Sequence, residues 1–201
     1  MHRDIKPDNI LLLKSGDDKT CLVKLTDFGL ARRIPQDRDD MVFDPSGAPL
    51  YMAPETILEE PISFNVDVWS CAIVLHLILV GFPPFWDEDD HKLFQQIVRA
   101  KVHFTGSAWE NISIPAQDLL RRMLVSEPCK RLSATDCLMH PWIKEVNELS
   151  DAHRDEAQTE IERFRARSKF RGAVMIVTAS LKLLKLHRAS VNCAKVRNTS
   201  A

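Results

Sequence analysis

The chain has 201 residues, of which 45% are hydrophobic and 27% are charged, and its formal net charge is −1. These values are ordinary for a soluble globular protein and exclude a low-complexity chain. The five cysteines form no Cys-x-x-Cys pair, so neither a disulfide framework nor a zinc site is indicated. An apolar run at 66–80 is too short to span a bilayer, and we expect a cytoplasmic protein without a transmembrane segment.

The charges are distributed unevenly along the chain. From Arg163 onward there are 10 Lys and Arg and no acid, which leaves 17 basic and 28 acidic residues in the preceding part. A basic end on an acidic body predicts that the tail either folds back on the body or binds another acidic partner.

The first predicted element is a β-hairpin. Two short apolar runs, 10–13 and 22–25, flank a polar turn at 14–20. The segment 29–51 mixes charges, Pro and Gly, and we interpret it as an ordered loop or a flexible segment.

Helices are predicted over most of the remaining chain. The run 65–80 is hydrophobic on nearly all sides, so it should be the central buried helix, ending at Gly81. The acids at 87–90 should open the next helix, and Pro115 should start another. Ser133 and Asp136 have the spacing of a capping box for a short helix that Pro141 stops. The apolar positions expected to face the core are Leu93, Phe94, Ile97, Val98, Leu119, Leu120, Met123 and Leu124.

Three short motifs carry the chemistry. Residues 2–9 read His-Arg-Asp-Ile-Lys-Pro-Asp-Asn, Asp27-Phe28-Gly29 follows, and Ala53-Pro54-Glu55 lies further downstream. Each motif alone is a weak signal, but this order is the pattern of phosphoryl transfer in protein kinases.

The chain therefore resembles the C-terminal lobe of eukaryotic protein kinases. The stretches 67–69, 81–89, 130–132 and 140–143 are most similar to the Ca²⁺/calmodulin-dependent kinase II group. The resemblance implies a mainly α fold: a kinase C-terminal lobe with a small β-hairpin at 1–143, a regulatory helix within 144–188 and a flexible tail at 189–201. It also implies that the N-terminal lobe is absent from these 201 residues.

The resemblance assigns roles around ATP and Mg²⁺. Asp4 would act as the catalytic base toward a protein Ser or Thr hydroxyl, and Lys6 would contact the γ-phosphate. Asn9 and Asp27 would hold magnesium, a hard cation that prefers oxygen ligands. Leu11 would form part of the apolar floor beneath the adenine.

Other positions have implied structural or regulatory roles. His2, with Phe28, would pack in an internal hydrophobic column anchored by Asp67, and Arg3 belongs to the same group. Glu55 and Arg131 would form an ion pair that ties the activation segment to the lobe.

The sequence also departs from the family pattern. No Gly-rich loop, strand Lys or helix Glu occurs in these 201 residues, so we expect no useful kinase activity from them alone. Ala48 stands where the family usually has a Thr whose hydroxyl supports Asp4 and Lys6. Ala108 stands where relatives often have a Glu that recognises substrate arginine.

The basic tail resembles a calmodulin-binding regulatory segment. Its apolar anchors would be Phe164, Phe170, Val174, Val177 and Leu183, which suit the hydrophobic grooves and acidic rims of Ca²⁺-loaded calmodulin. An amphipathic helix that docks on the lobe, or one on a membrane surface, remains the alternative. Ser168, within Arg165-Ala166-Arg167-Ser168, is a candidate phosphorylation site.

The sequence thus supports a serine/threonine kinase of the calmodulin-dependent type, present here as a C-terminal lobe and regulatory segment. The alternative is a non-catalytic module that binds calmodulin or a kinase. An incomplete gene product starting at an internal Met is a third possibility.

Overall fold

The computed structural model describes residues 1–14, 21–34, 46–144 and 159–163. In these ranges a pair of strands precedes a series of helices, and residues 159–163 are also helical. The elements are β1 (Ile10–Lys14), β2 (Cys21–Leu25), α1 (Pro54–Ile57), α2 (Asn65–Val80), α3 (Asp90–Arg99), α4 (Ser107–Glu110), α5 (Ile114–Met123), α6 (Ala134–Met139) and α7 (Pro141–Lys144). The mainly helical class with one small sheet is confirmed.

The two strands form the predicted antiparallel hairpin. Ile10 pairs with Leu25 at one end of the ladder, and Lys14 pairs with Cys21 at the other. An isolated two-stranded hairpin is only marginally stable, so its flanking contacts matter. The Thr26 amide donates to the Asn9 carbonyl at 3.0 Å and extends the pairing toward the predicted catalytic loop. Several apolar side chains of the hairpin are exposed, including Leu12 at 66%.

Helix α2 is the predicted core helix, and Trp69 and Ile73 are fully buried on it. Gly81 takes a left-handed conformation (φ 91°) and donates its N–H to the Leu77 carbonyl, which ends the helix. The expectation of burial on nearly all sides needs one correction, because Cys71 and Ile78 are exposed. Among the described helices none has the length and apolarity needed to cross a bilayer.

Helix α3 begins later than the acidic run predicted. Its first residue is Asp90, and the Asp89 side chain is the N-cap, accepting from the N–H groups of His91 and Lys92. The acids at 87–89 therefore precede the helix, because a cap with extended backbone must come before the first turn. On its predicted apolar face Leu93 and Ile97 are buried, while Phe94 and Val98 are partly buried.

Side-chain capping also sets the starts of α5 and α6. Ser113 accepts from the Ala116 N–H, so α5 begins at Ile114, one residue before the predicted Pro115. The predicted capping box of Ser133 and Asp136 is confirmed. Pro141 follows the end of α6, as predicted, but it also begins the short α7.

A buried ion pair joins α1 to the segment before α6. Arg131 donates to both carboxylate oxygens of Glu55, at 2.7 and 2.9 Å, and the two side chains are 0% and 1% exposed. The Arg131 guanidinium also lies over the Trp69 ring, 5.0 Å from its centroid, and donates to the carbonyls of Val125 and Asn65. The pair is thus fully hydrogen-bonded and inaccessible to water, the condition under which losing one partner is most damaging.

We predict that Glu55→Gln lowers the free energy of unfolding by about 3–5 kcal/mol, because the Arg131 charge is left buried without its counterion. Denaturant titration followed by circular dichroism measures the change. Lys130→Met is the control, since it breaks the exposed Lys130–Glu127 pair and should leave the midpoint unchanged. Similar midpoints for Glu55→Gln and the unsubstituted chain would contradict the prediction.

Candidate active site

The predicted catalytic loop is fastened to the N-terminal end of α2. The Asp67 carboxylate accepts from the backbone N–H of His2 at 2.7 Å and from that of Arg3 at 2.8 Å. Asp67 lies in the first turn of α2, where the helix dipole favours a negative charge. One carboxylate therefore fixes two consecutive residues just before Asp4.

The His2 ring connects this loop to the segment after β2. Its Nε2 donates to the Thr26 carbonyl at 3.0 Å, and its ring centroid lies 4.9 Å from that of Phe28. Phe28 is otherwise 62% exposed in the described part of the chain. The structure thus connects Asp67, His2 and Phe28 through successive contacts.

Asp4 is the centre of a compact hydrogen-bonded cluster. One carboxylate oxygen accepts from Lys6 Nζ at 2.6 Å and from Asn9 Nδ2 at 3.0 Å, and the other accepts from the Ala48 N–H at 3.2 Å. Desolvation alone would raise the pKa of Asp4, but Lys6, Asn9 and the Ala48 amide together outweigh it, so the pKa is lowered. Asp4 is therefore ionised near neutral pH although it is buried.

Asn9 joins Asp4 to the Asp27 segment. Its Nδ2 donates to both the carbonyl and the carboxylate of Asp4, and its own carbonyl accepts from the Thr26 N–H. Asp27 follows Thr26 directly, in a left-handed conformation (φ 61°), and its Oδ1 accepts from the Gly29 N–H at 3.2 Å. The cluster of Asp4, Lys6 and Asn9 is thus hydrogen-bonded, through Asn9, to the residue that precedes Asp27.

These residues fit a magnesium ion held together with a nucleotide. Because the Asn9 amide nitrogen is occupied by Asp4, its oxygen is the atom left to bind a cation. Within the described ranges no cluster of three or more His, Cys, Asp or Glu side chains could hold a metal alone. The Asn9 side-chain oxygen and the Asp27 carboxylate suit Mg²⁺, which is usually bound through one or two carboxylates, water and substrate phosphates.

Leu11 lies on β1, two residues after Asn9, and is 49% exposed. From this position on the hairpin, the Leu11 side chain would form an apolar surface beneath a nucleotide base. Leu13 and Leu22, which pair across the hairpin, are also exposed, so water reaches this side of the site in the described structure.

The backbone of Ala48 contacts Asp4 directly. Ala48 has no side-chain donor, but its N–H reaches Asp4, a contact that sequence reasoning missed. Sequence reasoning also missed the Leu30 carbonyl, which accepts from Arg3 Nε at 2.6 Å. No sequence signal marks such contacts, because every residue except proline carries the same backbone donor and acceptor.

The remaining predicted site residues lie elsewhere or outside the described ranges. Glu55, on α1, forms its ion pair with Arg131. The five proposed calmodulin anchors and Ser168 lie outside the described residues.

Gly47 positions the segment that carries the Ala48 amide. It has a φ of 132°, and a Cβ built on it would lie 3.0 Å from the Arg3 carbonyl oxygen. Both the backbone conformation and this close approach require glycine.

We predict that Gly47→Ala destabilises the chain by about 1–3 kcal/mol through backbone strain, with a further loss from the contact with Arg3. Gly106→Ala is the matched control: its φ is 95°, but nothing lies within 4 Å of an added Cβ. Thermal unfolding of both variants separates strain from collision. A loss for Gly47→Ala no larger than that for Gly106→Ala would show that the Arg3 contact is unimportant.

Comparisons with known proteins agree with this geometry. A family model for the protein kinase domain matches residues 1–143. The chain is also 38% identical, over 202 residues, to the calcium/calmodulin-dependent protein kinase type II subunit delta of Oryctolagus cuniculus. That match covers 98% of this chain and 37% of the relative, so the chain spans a little over a third of the relative's length.

Proposed function

The chain belongs to the protein kinase family, and from that premise we propose that it carries the catalytic-loop half of a serine/threonine kinase of the Ca²⁺/calmodulin-dependent type. The observation that carries the proposal is the Asp4–Lys6–Asn9 cluster. Asp67 holds the backbone just before this cluster, and Asn9 is hydrogen-bonded to the residue that precedes Asp27. Phosphoryl transfer requires positioning and neutralisation of charge more than covalent chemistry, and this cluster supplies both.

In this proposal Asp4 orients the substrate hydroxyl and accepts its proton. Its lowered pKa keeps it ionised, and Asn9 and the Ala48 amide hold the carboxylate in a fixed orientation. A less basic carboxylate is a weak base, so orientation of the hydroxyl is its larger contribution.

In this proposal Lys6 contacts the phosphates directly, whereas the oxygen atoms of Asn9 and Asp27 act on them through Mg²⁺. Lys6 Nζ lies 2.6 Å from Asp4 and, as a flexible point charge, can also contact the γ-phosphate of ATP. Asn9 and Asp27 would hold Mg²⁺, which, when bound, would neutralise charge on the phosphates. Leu11 would contact the adenine.

Exposure of the hairpin supports a second part of the proposal, that residues 1–201 alone are catalytically inert. Leu11, Leu12 and Phe28 are all about half exposed or more. A site open to water loses much of the strength of its electrostatic interactions. This observation favours the second candidate function, a non-catalytic module that binds calmodulin or a kinase.

The basic segment supports calmodulin as a partner. Its 10 cations without an acid, and the spacing of Phe170, Val174 and Val177, suit an acidic protein with apolar grooves. The relative named above is calcium/calmodulin-dependent, which is consistent with this assignment. A cytoplasmic location stays a prediction.

We predict that the purified 201-residue chain transfers no phosphate from Mg·ATP to a basic Ser/Thr peptide above the rate of an Asp4→Asn variant. A radiolabel transfer assay, with and without Ca²⁺–calmodulin, measures this. Asp4→Asn keeps the size of the side chain and removes its charge, so it reports the background. Robust turnover that Asp4→Asn abolishes would contradict the proposal that residues 1–201 alone are inert, and would show that they have kinase activity.

We predict that the chain binds calmodulin only with Ca²⁺ and that Ser168→Asp weakens this binding severalfold, because it adds negative charge among the arginines. Titration calorimetry measures both effects. Ser200→Asp adds the same charge beyond the segment and should have no effect. Unchanged affinity for Ser168→Asp would reject regulation at this serine, and absence of binding would reject calmodulin as the partner.

A further inference from the structure

A histidine, His76, lies within the core helix. It stands between Leu75 and Leu77 on α2, and only 2% of its surface is exposed. Histidine is the side chain whose ordinary pKa lies closest to neutrality, so its charge changes over a mild range of pH. Protonation at this position therefore puts a positive charge inside the core of the lobe.

The His76 ring has a defined hydrogen bond to the backbone after α2. Its Nδ1 lies 2.8 Å from the carbonyl oxygen of Phe82, and because a carbonyl only accepts, Nδ1 carries the proton. A neutral imidazole holds one proton, so Nε2 is the atom that a second proton would occupy. The bond ties the helix to the segment that follows Gly81, where α2 ends.

Two aromatic rings contact the imidazole. The ring of Trp109, on α4, lies edge-on to it at 5.2 Å between centroids, and the ring of Phe82 lies at 5.9 Å. Trp109 is buried, and its carbonyl accepts from the Gln117 side chain of α5 at 3.3 Å. One imidazole thus connects α2, the segment after it and α4. We call His76, Phe82 and Trp109 the His76 cluster.

The charged and titratable groups near the His76 cluster are engaged elsewhere or exposed. Those on the neighbouring segments and helices are Lys101, His103, Glu110, Arg121, Glu160 and Arg163. Arg121 lies over an aromatic ring outside the cluster, and Glu160 is paired with Arg163. On α2 itself, Asp67 accepts from backbone N–H groups of the predicted catalytic loop. In the described ranges no charged side chain contributes to the pKa of His76.

Burial without a counterion disfavours the protonated ring. Desolvation is the largest influence on the pKa of His76 and lowers it from 6.5 to about 4, although hydrogen bonds to backbone carbonyls oppose this shift. Between these two pH values the unfolded chain binds a proton that the folded chain excludes. The stability is therefore fully present above about pH 6.5, falls as the pH decreases towards 4, and falls no further below that.

We propose that His76 is an acid-sensitive lock, in which the neutral ring holds the end of α2 against Phe82 and Trp109, and protonation at Nε2 opens these contacts. The lock involves no residue of the Asp4 cluster, so it does not depend on kinase activity or on calmodulin. Phe82 also lines a cavity of about 610 Å³ together with Ala108 and Arg163, so opening would change the surface at this end of the lobe.

The protonation of His76 is measured directly by NMR of the histidine rings in the intact 201-residue chain. The His76 signals are assigned through the contact of this ring with Trp109. At pH 5.5 they should still be those of a neutral imidazole, because the folded core excludes the second proton. Signals of a protonated His76 ring at that pH, in a chain that is still folded, would overturn the proposal.

Opening of the His76 cluster is measured by amide hydrogen exchange with mass spectrometry, in peptides that cover 79–84 and 104–112. The rates are corrected for the intrinsic effect of pH on exchange. Acidification from pH 7 to pH 5 should raise the opening constant of these peptides about 20-fold, the ratio that pKa values of 6.5 and about 4 imply.

His76→Gln keeps a side-chain donor for the Phe82 carbonyl but cannot take up a proton, so its opening constant should rise less than about threefold over the same range. His103→Gln is the matched control, because it removes an exposed histidine outside the cluster, and it should open like the unsubstituted chain. An equal acid response in His76→Gln and the unsubstituted chain would overturn the proposal, even if the variant is less stable at both pH values. If His76→Gln does not fold, the ring titration of the unsubstituted chain decides alone.

Discussion

The carboxylate of Asp67 is the contact on which the rest of the site depends. It accepts hydrogen bonds from the N–H groups of His2 and Arg3, and so joins the predicted catalytic loop to α2, the helix that carries the fully buried Trp69 and Ile73. A charge in the first helical turn that accepts two backbone donors is both satisfied and favourably placed. These two hydrogen bonds attach the residues just before Asp4 to α2.

The electrostatics around Asp4 depend on donors from separate parts of the chain. Three donors converge on one buried carboxylate, and together they outweigh the desolvation that would otherwise raise its pKa. One of these donors, the Ala48 amide, comes from 44 residues away and is placed by Gly47, whose close approach to Arg3 leaves no room for a Cβ. The surroundings of the Asp4 carboxylate are therefore formed by packed backbone as much as by side chains.

Buried polar contacts hold the helical lobe together around this site. Glu55 and Arg131 meet across 76 residues of sequence without exposure to water, and the Arg131 guanidinium lies over Trp69 on α2. The opposite condition holds on the hairpin and at Ile78 on α2, where apolar side chains face solvent. Regions of this kind are where further segments or partners gain most from binding.

The sequence alone determined the hairpin, the core helix, the capping box and the identity of the cluster residues, because periodicity, caps and motif order are local properties. It placed the start of α3 three residues early and the start of α5 one residue late, since a cap is decided by which side chain reaches the first free N–H groups. Only the tertiary structure decided that Cys71 and Ile78 are exposed on an otherwise buried helix, that the Ala48 amide reaches Asp4, and that Asn9 contacts Thr26 beside Asp27. Those outcomes depend on which segments pack against each other and on backbone atoms that every residue shares. The local pattern of side chains predicts neither the packing partners nor the backbone contacts.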